Sequence, residues 1–148
     1  GAIDPNGHNH AAFPFISEST NKFYIIAGDE WGNQFGMAGG FHFWDFTNPK
    51  DPFETAVFQV PEAGSHNHWV HGDTLLASNY QGGLRIVDIS GDLMGDIYSQ
   101  GREIAFFKPI DNKGHKPNQT NVWGTMPYKG LIYFSDMYNG LWAVKLEK

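Results

Sequence analysis

Apolar and polar residues along this chain fall into short runs separated by Gly, Asn, Asp and Pro. In some runs apolar and polar positions alternate, and in others nearly every position is apolar. Alternation predicts strands with one solvated face; continuous apolar runs predict strands covered on both faces. The runs are rich in aromatic and β-branched residues, which suits pleated backbone. With 18 Gly and 8 Pro, the chain is interrupted too often for long helices.

The runs repeat. Gly-Gly-Phe-His-Phe-Trp-Asp at 39–45, Gly-Gly-Leu-Arg-Ile-Val-Asp at 82–88 and Asn-Gly-Leu-Trp-Ala-Val-Lys at 139–145 align with one another. An apolar run precedes each, at 23–29, 74–79 and 131–136, ending in Asp29, Asn79 and Asp136 at spacings of 50 and 57 residues. A third short run lies before each pair, at 8–13, 66–71 and 121–125. A fourth follows the first two pairs, at 53–60 and 103–110. Four strands in a unit of roughly 40–57 residues is the size of a propeller blade. A β-sandwich with accidental self-similarity is the competing architecture.

Leu-Arg-Ile-Val-Asp-Ile-Ser at 84–90, and Phe-His-Phe-Trp-Asp-Phe-Thr-Asn-Pro-Lys-Asp-Pro at 41–52, resemble the third strand and turn of the LVIVD-repeat β-propellers. The likeness loosens at 140–146, where Lys145 replaces the Asp. The Asp can accept hydrogen bonds from the following turn, and Asn-Pro ends the strand by removing a donor. The expected fold is all-β, a propeller segment of about three four-stranded blades spanning residues 1–148. Its blades are 8–62, 66–113 and an incomplete 119–148 that lacks its outer strand. Two and three-quarter blades cannot close a ring, so the chain reads as the C-terminal part of a larger propeller. The remaining blades would come from an upstream segment or another subunit. The absence of an initiator Met and of a signal peptide fits that reading.

Composition narrows the chemistry. Ten Lys and Arg against 16 Asp and Glu give a net charge of -6, which disfavours nucleic acid as a partner. No apolar stretch is long enough for a transmembrane segment. There is no Cys, so disulfides, thiolate catalysis and Cys-ligated metal are excluded. The resemblance and the missing Cys together suggest an extracellular, cell-surface or periplasmic location. No P-loop, dinucleotide fingerprint or Gly-x-Ser-x-Gly is present.

Five of the seven His lie in two blocks, His8-Asn-His10 and His66-Asn-His68-Trp-Val-His71. Each block opens an innermost strand, where positions i and i+2 share a face. His8, His10, His66 and His68 are therefore candidate ligands for copper, zinc or iron on the channel axis. The fold distantly resembles the selenium-binding proteins and methanethiol oxidases, and that likeness implies a copper site held by channel histidines. A wet channel lined by hydrogen-bonding histidines is the plainer reading. Asp29, Glu30 and Asp136 end second strands, where a carboxylate can bind a cation, act as a base or cap a turn. Trp31, Trp44, Trp69, Trp123 and Trp142 fit either packing between blades or stacking on a sugar. Two functions follow: an exported or surface interaction and assembly module, or the C-terminal part of a metal-dependent oxidase or hydrolase.

Overall fold

The computed structural model describes residues 9–30, 38–61 and 63–147. They form twelve strands in three sheets, with no helix among the described residues. The first sheet runs β1 (Asn9–Ile16), β2 (Phe23–Asp29), β3 (Gly40–Asp45) and β4 (Phe53–Gln59), each antiparallel to its neighbour. The second joins β5 (His68–His71), β6 (Thr74–Asn79), β7 (Gly83–Asp88) and β9 (Glu103–Phe107) in the same way. The third holds β10 (Val122–Tyr128), β11 (Leu131–Asp136) and β12 (Gly140–Val144).

One strand lies outside the repeat. After β7 the chain leaves the second sheet, and β8 (Gly95–Asp96) pairs in parallel with Ala56 and Val57 of β4. This strap sends Leu93 and Ile97 into the core of the first sheet, and Ile97 N donates to Val57 O at 3.0 Å. An exposed strand edge is a template for unwanted pairing, and the strap covers the edge of β4.

Several local features recur from sheet to sheet. An extra residue bulges out of β1 at His10 and out of β10 at Trp123. A second bulge displaces Thr55 from β4 and Ile104 from β9 at matching registers. Asp45 Oδ1 accepts from Thr47 N at 2.8 Å, and Asp88 Oδ1 accepts from Ser90 N at 2.8 Å. These are the turn bonds expected of the aspartate that closes the third strand. Asp45→Ala and Asp88→Ala should each cost about 1 kcal/mol in urea unfolding, the ordinary net value of a hydrogen bond.

Two apolar cores separate the three sheets. Phe15, Tyr24, Ile26, Phe41, Phe43 and Phe58 of the first sheet meet Val70, Leu75, Ala77 and Val87 of the second. On the other face of the second sheet, Leu76, Leu84 and Ile86 pack on Val122, Ile132 and Phe134 of the third. The same registers on the third sheet, Tyr133, Leu141 and Ala143, carry no such cover; Leu141 is 78% exposed. At the opposite end, Ile25, Ala27 and Trp44 sit where the second sheet has its buried Leu75, Ala77 and Val87, and are half-exposed. Both ends of the stack thus present the kind of face that its interior buries.

Candidate metal centre

The first strands of the three sheets, β1, β5 and β10, bring corresponding positions into a column. Pairing fixes the register: Ala12 faces Ala27, His68 faces Ala77 and Thr125 faces Phe134. His10, His66 and Trp123 therefore share one position, His10 tilted against His66 and His66 stacked on Trp123. Centroids lie 4.2 Å apart for His10 and His66, and 4.9 Å apart for His66 and Trp123. The two His-Asn-His tripeptides are identical in sequence but two residues out of this register. His10 aligns with His66, and His68 aligns with Ala12.

The residue just past each second strand forms a second column: Glu30, Tyr80 and Met137. Glu30 Oε2 lies 3.2 Å from His10 Nδ1, and Glu30 Oε1 lies 3.9 Å from His66 Nε2. Donor atoms of His10, Glu30 and His66 all fall within 4.8 Å of one another. Tyr80 donates its hydroxyl to Glu30 Oε1 at 2.8 Å and packs edge-on against His66 at 5.4 Å. Its backbone has φ of 34°, a left-handed conformation that costs a side chain about 1–3 kcal/mol and gathers at functional sites. Burial and the adjacent Glu30 carboxylate push the Tyr80 phenol well above its usual range, so it remains a neutral donor at neutral pH.

Outer partners fix both rings. His66 Nδ1 donates to Trp123 O at 2.7 Å; a carbonyl can only accept, so Nδ1 carries the proton. Asn67 Oδ1 lies 3.2 Å from His10 Nε2 and orients that ring. Burial lowers the His66 pKa, and the nearby His10 adds to the effect.

Of the four histidines expected to share a site, two meet. His8 lies outside the described residues. His68 is buried elsewhere, its ring 5.1 Å from Phe41 and 6.1 Å from Phe13 on the first sheet. The reason is local: His66 N donates to Ser78 O while Ser78 N donates to Asn67 O, so two residues oppose one. That bulge resets the alternation, and i and i+2 part. Burial drives the His68 pKa down to about 4.

The acidic candidates divide as well. Glu30 joins the cluster. Asp136 serves its own turn, accepting from Thr120 Oγ1 at 2.9 Å and from Tyr138 N and Asn139 N at 2.8 Å each. Asp29 pairs with the buried His42 at 3.0 Å, and Glu54 holds the other ring nitrogen at 2.8 Å. Although burial opposes it, hydrogen bonding to these carboxylates raises the His42 pKa to about 9. The tryptophans pack: Trp69 on Phe13, Trp142 on Phe107 and Trp123 on His66, while Trp44 lies on the open face of the first sheet. Trp31 lies outside the described residues. The sequence reading missed Tyr80 and Asn67 as site residues. Reading the residue after Asp29, Asn79 and Asp136 as a column would have found Tyr80 beside Glu30.

Comparison with protein-family models, with curated proteins and with solved structures gave no match to this chain. The residues and their geometry carry the functional argument.

Proposed function

We propose that this chain is part of a β-propeller, each of its three sheets forming one blade. The narrower reading is an LVIVD-repeat-like segment that works as an exported or surface assembly module. Its ring is completed by further blades from an upstream segment or another chain. One observation carries the reading: Tyr133, Leu141 and Ala143 repeat the positions of Leu76, Leu84 and Ile86, which the next sheet buries. A face patterned for burial beneath a sheet argues for a sheet to cover it. The half-exposed Ile25, Ala27 and Trp44 make the same case at the other end. The repeated bulges and turn aspartates favour a blade repeat over a sandwich, which has no reason to copy them.

Sedimentation of the purified 148-residue chain tests the proposal. The chain alone should self-associate and bind a fluorescent apolar dye. Leu141→Asp combined with Ala143→Asp should return it towards monomer and weaken the dye signal at that end. A wild-type chain that is monomeric, cooperatively folded and silent to the dye would sink the reading.

A further inference from the structure

We infer that His10, Glu30 and His66 form a binding site for one divalent first-row transition ion, such as Zn²⁺ or Cu²⁺, between the first two sheets. This goes beyond the assembly reading and stands without it. The argument begins with the direction of the lone pairs. Because the Nδ1–H of His66 is committed to the Trp123 carbonyl, the neutral ring turns a lone pair, on Nε2, towards Glu30. With Asn67 Oδ1 accepting from His10 Nε2, the atom that His10 turns to the same carboxylate is Nδ1. Two imidazole nitrogens and a carboxylate facing one another are held together by positive charge, either a proton on His10, which makes the His10–Glu30 contact an ion pair, or a metal ion bound by all three.

The spacing suits such an ion. Bonds of about 2.0–2.1 Å in a tetrahedral site place ligand atoms roughly 3.3 Å apart. His10 Nδ1 lies 3.2 Å from Glu30 Oε2, His66 Nε2 lies 3.9 Å from Glu30 Oε1, and donor atoms of all three residues fall within 4.8 Å of one another, so side-chain rotation draws them to bonding distance. Imidazole and carboxylate donors suit zinc and copper, and exclude the all-oxygen preference of calcium.

The outer groups are those that a metal site requires. A ligating histidine normally gives its other nitrogen to a carbonyl or a similar acceptor, and a ligating carboxylate is itself hydrogen-bonded. Trp123 O serves His66, Asn67 Oδ1 serves His10, and the Tyr80 hydroxyl serves Glu30.

The repeat explains why the site occurs between these sheets and not between the next pair. In the third sheet the two columns continue as Trp123 and Met137, which offer no comparable donors. Three protein ligands, with His10 29% and Glu30 48% exposed, leave coordination positions open to water or a small anion.

Calorimetric titration of the chelator-treated 148-residue chain with ZnCl₂, and electron paramagnetic resonance with CuCl₂, test the inference. The expected result is one ion per chain and, for Cu²⁺, hyperfine structure from two imidazole nitrogens. Glu30→Gln and His10→Ala, both at solvent-accessible positions, should each weaken Zn²⁺ binding by about 10–100-fold or more. Tyr80→Phe should weaken it by about 10-fold, the scale of an outer-partner loss. His68→Leu and His115→Ala should leave it unchanged. Absence of stoichiometric binding, or binding that survives the Glu30→Gln, His10→Ala double variant, would overturn the assignment. Circular dichroism of each variant separates loss of the ion from loss of the fold.

Discussion

Gly83→Ala should destabilise the chain by roughly 3 kcal/mol, whereas Gly140→Ala should cost about 1 kcal/mol. The two glycines hold the same repeat position with nearly the same backbone, φ of 84° and 83°. Each substitution therefore meets the same left-handed penalty, of order 1–2 kcal/mol. The surroundings differ. At Gly83 an added Cβ would overlap the carbonyl of Phe107 on the neighbouring strand β9, while at Gly140 it would meet nothing. Overpacking against backbone cannot be relieved by a rotamer change, so its cost comes on top. Urea unfolding of the two variants gives the difference directly. Equal losses would show that close approach of β9 is not what keeps Gly83 a glycine. The contrast also reports on assembly: a fourth strand laid beside β12 should raise the cost at Gly140 to that at Gly83.

A stability profile that peaks near pH 6.5 and falls on both sides is the second large effect. His42, held between Asp29 of β2 and Glu54 of β4, has a folded pKa of about 9, above the unfolded value of about 6.5. Its contribution is complete below pH 6.5 and disappears as the pH rises through 9. His68, whose burial outweighs a hydrogen bond to the Ile26 backbone and is reinforced by the nearby His10, has a folded pKa of about 4. As the pH falls from 6.5 towards 4 the unfolded ring takes up a proton that the folded ring refuses, and stability is lost. Each shift is worth on the order of 3 to 4 kcal/mol over its full window, from about 1.4 kcal/mol per pH unit. His66, also lowered, adds to the acid limb with the same sign. Asp73, Asp88 and Asp96 are held below the usual carboxylate range by hydrogen bonds, so they stay ionised between pH 5 and 6.5. Urea midpoints in chelator from pH 5 to 9 supply the test. His68→Leu should flatten the acid limb, and Glu54→Gln should shrink the alkaline one. Stability that rises on acidification below pH 6.5 would contradict the burial of a neutral His68.

Most of the strand framework is legible in the sequence because alternation and turn chemistry are local. The runs at 23–29, 74–79 and 131–136 coincide with β2, β6 and β11. β8 is not legible, because two residues, Gly95 and Asp96, carry no period and their partner lies in another sheet. The site is half legible. His10 and His66 stand out by composition, but grouping them with His8 and His68 assumed unbroken alternation along the strand. A bulge is set by backbone pairing, not by side-chain type, and one bulge sends His68 into the core. Glu30 and Tyr80 lie 50 residues apart and meet only once the sheets stack.

The strap between β7 and β9 has a consequence for the order in which structure is acquired. Its outward leg crosses to the edge of β4, and its return leg delivers β9 to β7. The edge strand of the second sheet is thus reached only through a segment clasped to the first. As the chain is made, the strap should join these two sheets into a single cooperative unit once β9 has emerged. The last hairpins then add to a finished surface, and that surface, not their own pairing, gives them their core.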